Sequence, residues 1–266
     1  MNPLITAVLS LGIFLFILPI IRNAGAETFL NLDALLIIGS GTLIGLLVGF
    51  PVQRIKMAFR HVKESFGDHG DRNKLLKEIL LMAGIYKRGQ IRELERRQGE
   101  IKDDFFRMGM HLLINQHPVE EIKNILEREM SLRIVSHNLS QNILKTMARL
   151  TPALGLAGTI ISLIKMFDHF QSLETLTPMM AVALMSTFYG VIIANLIMLP
   201  LASKLKERAT LSESLMAMTI EGLVAISAQE HPLKIEEKLA GVSRVKEAPT
   251  GSPEGHMAWG EVKIGL

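Results

Sequence analysis

Four apolar runs without a charged residue constrain the fold of this chain more than any other feature. They cover residues 1–21, 34–53, 150–164 and 175–203 of the 266-residue sequence. A helix that crosses a bilayer needs roughly 20 mostly apolar residues, and the first, second and fourth runs supply them. The third run is short, but it reaches Phe167 if Lys165 extends its amine to the membrane interface. The pattern therefore predicts an all-α membrane protein with four transmembrane helices.

The expected bounds of these helices are residues 1–22, 33–52, 149–168 and 178–203. A helical cytoplasmic domain, residues 53–148, is inserted between the second and third helices, because apolar residues recur there at helical spacing. Its first part, after Pro51, is a basic amphipathic helix typical of an inner membrane surface. Residues 204–235 continue the fourth helix into the cytoplasm, and residues 236–266, rich in glycine and proline, are expected to be disordered.

The first run has a second interpretation, a cleaved secretory signal peptide, because Ala24, Gly25 and Ala26 resemble a cleavage site. No basic segment precedes the run, and its apolar length of about 19 residues exceeds that of a usual signal peptide. We therefore favour a retained helix.

The positions of lysine and arginine predict the orientation in the membrane. Residues 52–150 contain 19 of the 29 basic residues and the segment after Ser203 contains eight, whereas the two short connectors contain one each. The positive-inside rule places both basic segments in the cytoplasm. With four spans, the N-terminus and the C-terminus are then both cytoplasmic. The net charge of +3 is explained by topology and solvated helix faces, so no nucleic-acid partner is expected.

Enzyme chemistry finds little support in the sequence. There is no cysteine, no phosphate-binding loop and no zinc-protease motif, so no catalytic residue, metal site or permanently bound cofactor is expected. No carboxylate lies deep in the four apolar runs. A proton or sodium carrier usually needs one there, so any titrating group must come from a partner helix.

The apolar runs offer hydroxyl groups instead. Thr159 lies in the third helix, and Ser186 and Thr187 lie in the fourth, among glycines that allow close helix packing. Each hydroxyl could simply bond to the carbonyl four residues earlier in its own helix. The alternative is that together they line a hydrophilic path.

Three stretches resemble the MotA/PomA family of flagellar motor stator subunits, within the broader MotA/TolQ/ExbB proton-channel family. They are NLDALLIIGSGTLIGLLVGFP, TPALGLAGTIISLIKMF and MMAVALMSTFYGVIIANLIMLPLASKL, and the resemblance covers roughly residues 4–210. The first stretch has GSGT where the family has GGT. The resemblance implies a bacterial inner-membrane protein that forms a pentamer around two helices of a MotB-like partner. The partner's membrane aspartate binds the ion, and ion flow drives the pentamer against the rotor protein FliG.

The resemblance also implies roles for individual residues. Pro152 and Pro200 match the prolines at the inner ends of helices three and four. Thr187, with Ser186 beside it, matches the helix-four threonine that faces the ion path. Thr159 matches a position that is threonine in sodium-type members and usually alanine in proton-type members. Because a hydroxyl can replace part of the hydration shell of sodium, we expect Na⁺ rather than H⁺.

In the charged stretch of the cytoplasmic domain, Arg88 and Glu95 match the rotor-contacting charges of the family. A merely solvated face is the alternative for this stretch. For the whole chain, the alternatives are an ExbB/TolQ-like energiser, a MotA-like subunit of another device, such as gliding or phage defence, and a membrane scaffold without ion coupling.

Overall fold

The structure, a computed structural model, describes residues 31–67, 71–168 and 173–246. In these ranges every regular element is a helix, which confirms the all-α class. The elements are α1 Leu32–Gly49, α2 Val52–Glu64, α3 Arg72–Lys87, α4 Ile91–Gln98, α5 Asp104–Ile114, α6 Val119–Asp168, α7 Leu173–Ile192, a π-helical segment Ile193–Met198, α8 Leu199–Ser227 and α9 Pro232–Lys246.

Three helical stretches among the described residues are long and apolar enough to cross a membrane. They are Leu32–Gly49, Val119–Asp168 and Leu176–Ser227. They contain the third and fourth predicted spans and most of the second. The first predicted span, residues 1–22, lies outside the described residues, so the count of four stays a prediction. The 50-residue helix α6 has the length expected of a helix that runs without a break from Val119 into the third span.

Helix α1 ends earlier than the predicted residue 52. Phe50 has extended backbone angles, φ −141° and ψ 141°, because the ring of Pro51 disfavours the helical conformation in the residue before it. Pro51 then precedes the first turn of α2, where its missing N–H costs nothing. The chain therefore changes direction at Phe50 and Pro51 rather than continuing as one helix.

The described residues divide into two compact units, residues 31–67 with 132–168 and 173–210, and residues 71–131 with 211–246. This division differs from the predicted insertion of residues 53–148. Helix α2 and residues 132–148 of α6 belong to the first unit, and the end of α8 belongs to the second. The core of the second unit brings together side chains that are distant in sequence, including Ile79, Phe105, Phe106, Met110, Ile122, Leu126, Leu223, Ile235 and Leu239.

Residues 236–246, which the sequence analysis assigns to a disordered tail, form most of helix α9. The helix packs in the second unit because Ile235 and Leu239, four residues apart, are both buried. The guanidinium group of Arg72 also donates a hydrogen bond to the carbonyl of Leu239 at 3.3 Å. The remainder of the predicted tail, residues 247–266, lies outside the described residues.

In the first unit, α2 packs against protein on the face that the sequence analysis assigns to the membrane surface. Ile55 and Ala58 are buried in a cluster with Ile143 of α6. Met57 and Phe59 stay exposed, at 41% and 51% of their surface. Helix α6 therefore covers part of the apolar face of α2.

Two histidines join α2 to α6. Ser140 Oγ donates to the carbonyl of Ser136 at 3.0 Å, so it accepts from Nδ1–H of His61 at 2.9 Å. The ring of His61 stacks on that of His137 with centroids 4.3 Å apart. Burial lowers the pKa of His137 from 6.5 to about 4, assisted by His61, Arg208 and Arg133.

The pKa of His61 is lowered as well, chiefly by burial and further by Arg60, against an opposing effect of Glu64. Both rings are therefore mainly neutral at pH 7. Protonation would place two like charges face to face beside arginine side chains. The contact should thus be weakened by acid.

We predict that the first unit loses stability as the pH falls from 6.5 toward 4. The pKa of His137 in the folded protein is below its ordinary value of 6.5, so its contribution is complete above pH 6.5 and is lost on acidification. For a half-buried group, solvent screening limits the loss to roughly 1–2 kcal/mol. Thermal unfolding in detergent between pH 7.5 and 5 would measure it.

The variant His137→Phe keeps a ring for stacking and cannot be protonated, so its unfolding temperature should fall less on acidification. His111→Phe changes an exposed histidine of the second unit and serves as the control. Equal pH dependence in the wild type and His137→Phe would contradict the prediction.

Candidate functional site

The structure brings two of the predicted site residues into direct contact. The hydroxyl oxygens of Thr159 on α6 and Thr187 on α7 lie 2.6 Å apart. Thr159 Oγ1 also lies 2.9 Å from the carbonyl oxygen of Ala183 and 3.2 Å from that of Gly155. The Thr159 hydroxyl therefore lies within hydrogen-bond distance of one oxygen in its own helix and of two on α7. A hydrophilic path lined by these hydroxyls stays a prediction.

The proton count of this cluster fixes a favoured direction for the hydrogen bonds. Thr159 has one hydroxyl proton, and two carbonyl oxygens compete for it. If Thr159 donates to a carbonyl, Thr187 must donate to Thr159, since either hydroxyl can serve as donor in their contact. The lone pairs of Thr187, whose side chain is exposed, are then available to a cation.

Glycines make this contact possible by letting the backbones of α6 and α7 touch. A Cβ atom added to Gly155 would lie 2.7 Å from the carbonyl oxygen of Ser186 and 3.3 Å from the Cα atom of Gly190. A Cβ atom on Gly190 would lie 2.7 Å from the carbonyl oxygen of Thr151. These neighbours are main-chain atoms and cannot rotate away, so only glycine fits at both positions.

Ser186 lies beside the threonine pair but points elsewhere. Its side chain is fully buried, and its hydroxyl donates to the carbonyl of Val182 at 2.8 Å. It packs on Gly158, where an added Cβ would come within 2.8 Å of Ser186 Oγ. The structure thus places Ser186 in the contact between helices, and its assignment to an ion path stays a prediction.

The two prolines lie inside helical segments of the first unit. Pro152 is within α6 and is close enough to α7 that its Cα atom would lie 3.2 Å from a Cβ added to Gly190. Pro200 is the second residue of α8 and follows directly on the π-helical segment. Their conformational role stays a prediction.

Arg88 and Glu95 lie in the second unit. Arg88 ends α3, and its exposed side chain borders a surface depression that also includes Leu81, Ile91, Arg92 and Arg97. Glu95 is exposed on α4 but is not among the residues that line this depression. The structure therefore makes Arg88 part of a basic surface and leaves Glu95 beside it.

Glu93 organises the arginines of this surface. Its Oε1 atom accepts from Arg96 at 2.8 Å and from Arg97 at 2.9 Å. Hydrogen bonds from Arg97 and then Arg96 lower the pKa of Glu93. The spacing of Glu93 to Arg96 and Arg97 is the i, i+3 and i, i+4 pattern of helix pairs, which is visible in the sequence.

Two further features of the first unit escape the sequence analysis. The main-chain N–H of Asn31 donates to the hydroxyl of Tyr189 at 3.0 Å and so ties the start of α1 to α7. Asn195, an amide in an otherwise apolar run, lies in the π-helical segment. The polar character of Asn195 is visible in the sequence, but the π-helix is not. Among the described residues, no group of three or more histidine, aspartate or glutamate side chains could hold a metal ion.

Comparison with known proteins finds a family and individual relatives. The profile of the MotA/TolQ/ExbB proton channel family matches residues 97–218. The chemotaxis protein PomA of Vibrio alginolyticus is 26% identical over 229 residues, which cover 86% of this chain and 90% of the relative.

Two solved structures share the fold. The structure of C. jejuni MotAB has a TM-score of 0.77 at 19% identity, covering 91% of this chain and 96% of that chain. The flagellar MotAB stator complex from Bacillus subtilis has a TM-score of 0.72 at 24% identity, covering 83% and 89%.

We predict that Gly155→Ala pushes α6 and α7 apart and breaks the threonine contact, because overpacking against main-chain atoms costs about 1–3 kcal/mol. The chain has no cysteine, so the double variant Thr159→Cys and Thr187→Cys can report the contact by disulfide formation. Adding Gly155→Ala should slow this oxidation about tenfold.

The matched control is Gly39→Ala on α1, where an added Cβ meets nothing within 4 Å. It should leave the oxidation rate unchanged. If the Gly155→Ala variant also oxidises as fast as the parent double variant, Gly155 does not set the distance between α6 and α7.

Proposed function

We propose that this chain, whose residues 97–218 match the MotA/TolQ/ExbB proton channel family and which is similar to PomA, is an ion-conducting stator subunit of a bacterial flagellar motor. In this role it lies in the inner membrane with both termini in the cytoplasm. Together with a MotB-like partner, it couples a flow of ions to torque on the rotor.

The contact between Thr159 and Thr187 carries this proposal. It places hydroxyl oxygens at the surface of two apolar helices. The runs 150–164 and 175–203 contain no charged residue. Hydroxyls can bind a cation as it loses water, but they do not ionise near neutral pH. The proposal therefore assigns the titrating acid to the partner, whose single span brings an aspartate to Thr187.

Sodium is the proposed ion. A bare proton needs a base, whereas Na⁺ needs several oxygen ligands to replace its hydration shell. The favoured direction of the hydrogen bonds leaves lone pairs on Thr187, and Thr159 holds that direction by donating to the carbonyl of Ala183. A methyl group at position 159 would remove this orientation, because Thr187 would lose its acceptor on Thr159.

The proposed assembly is a homopentamer around the two partner helices. FliG is the proposed rotor partner, and the basic surface around Arg88, with the exposed Glu95 on the next helix, is its proposed contact. Likeness to structures of MotAB complexes supports an oligomer with a MotB-like subunit. An ExbB/TolQ-like energiser of a non-flagellar system is the alternative, because the matched family includes those proteins.

We predict that the chain restores swimming to a stator-less strain when it is expressed with a MotB-like partner, and that Thr187→Ala abolishes the effect. The variant should still copurify with the partner, because an exposed threonine contributes little to packing. Swimming speed and copurification are the measurements.

Thr210→Ala is the matched control, since the Thr210 hydroxyl donates only to the carbonyl of Lys206 in its own helix. Cells that express this variant should swim as fast as cells that express the wild type. Unimpaired swimming by Thr187→Ala would refute the ion-path assignment, and failure with every compatible partner would refute the motor assignment.

We predict that Thr159→Ala raises the sodium concentration for half-maximal swimming speed by about tenfold, because a polar contact with a charged group is worth about 1.5–3 kcal/mol. Thr159→Ser keeps the oxygen and should stay close to the wild type. If the sodium dependence of Thr159→Ala were unchanged, Thr159 would have no role in sodium binding.

A further inference from the structure

The π-helical segment removes the hydrogen-bond donors of one main-chain carbonyl. Leu199 N–H donates to the carbonyl of Ala194, five residues earlier, instead of that of Asn195. The next residue, Pro200, has no N–H. Neither the residue four positions after Asn195 nor the one five positions after it can therefore supply an amide. The carbonyl oxygen of Asn195 is left without a main-chain donor inside an apolar span.

The side chain of the same residue, Asn195, supplies a second oxygen. Its Nδ2 atom donates to the carbonyl of Val191 at 2.9 Å, which fixes the amide plane. The donor side is thereby directed to the helix, and the acceptor Oδ1 is directed away from that bond. Because Asn195 is exposed, the amide oxygen lies at the surface of the first unit.

Polar oxygens at this position are costly in hydrocarbon, where no water can satisfy them. The run 175–203 has no charged residue, and polar groups at depth in such a span usually face protein or water. The surface around Asn195 must therefore face a hydrated path or a partner rather than lipid tails.

Asn195 follows Thr187 by eight residues, a little over two turns, which is about 12 Å along the axis. Thr187, Val191 and Asn195 are all exposed. Eight residues place the amide about 80° around the helix axis from Thr187, on a face that is also exposed, and displaced toward Pro200. A cation that leaves Thr187 toward that end of the helix passes Asn195 next.

We propose that Asn195 is a second oxygen site for the transported monovalent cation, formed by its amide oxygen and by the main-chain carbonyl that the π-helical segment and Pro200 leave unbonded. This site holds the cation between the threonine contact and the cytoplasm. Carbonyl oxygens replace water around a cation in this way, and π-helical segments are frequent at functional sites. The inference rests on the proposed function, because it needs a transported cation.

The test measures sodium uptake by the complex with its MotB-like partner in proteoliposomes, as a function of external Na⁺ and per assembled complex. Asn195→Leu removes the side-chain oxygen and should raise the half-saturating Na⁺ concentration or lower the maximal flux by about tenfold. Asn195→Gln keeps the amide oxygen and should retain most of the flux. Asn142→Leu, at an exposed position of α6, is the control and should match the wild type.

Pro200→Ala tests the main-chain part of the site. Its restored N–H can bond a carbonyl of the π-helical segment, so uptake should fall while the Asn195 side chain stays intact. If Asn195→Leu and Pro200→Ala both take up sodium as the wild type does, the inference is wrong and the proposed function still stands. A loss of assembly with unchanged uptake per complex would show a packing role and also overturn it. A wild-type complex that takes up no cation refutes the proposed function itself.

Discussion

The contact between Gly155 and Gly190 is the constraint on which the rest of the first unit depends. Lipid provides no hydrophobic force to press two apolar helices together, so close backbone approach must supply the contact energy. At this separation a hydroxyl on one helix can reach a carbonyl on the other, as Thr159 does with Ala183 at 2.9 Å. A larger residue at either glycine would separate the helices before any hydroxyl met its partner.

The chemistry of the threonine pair explains why the proposed ion path needs a second polypeptide. A hydroxyl group is uncharged and stabilises a cation only through its dipole. It neither gains nor loses a proton between pH 5 and 9. A cation held by hydroxyls alone in an apolar span would be an uncompensated charge, which is costly. The arrangement of Thr159 and Thr187 is therefore suited to complete the ligand shell around an ion that a carboxylate already neutralises.

The sequence predicts the apolar helices well and the second unit poorly, for one physical reason. In a bilayer every main-chain group must be bonded within its own helix, so a long uncharged run has almost no alternative to a helix. Residues 236–246 have no such constraint. They fold because Ile235 and Leu239 meet a core that combines residues of α8 with residues of α3, α5 and α6 more than 100 positions earlier, and no local pattern reveals that core.

The candidate site shows the same limit at finer scale. The hydroxyls of Thr159 and Thr187 are visible in the sequence, but their contact follows from the register between α6 and α7, which two glycines set. The stacking of His61 on His137 likewise joins residues 76 positions apart.

A main-chain oxygen is still harder to foresee, because every residue has one. What distinguishes the carbonyl of Asn195 is the loss of its donors to a π-turn and to Pro200. A proline near the end of a membrane helix is commonly explained by the kink it introduces. Here it has a second consequence, since it leaves an acceptor unbonded two turns from the threonine contact. The kink depends on the ring of Pro200, whereas the unbonded carbonyl of Asn195 depends on the missing N–H. A change that straightened the helix without restoring an N–H would therefore leave the carbonyl unbonded, so the two effects of Pro200 are separate.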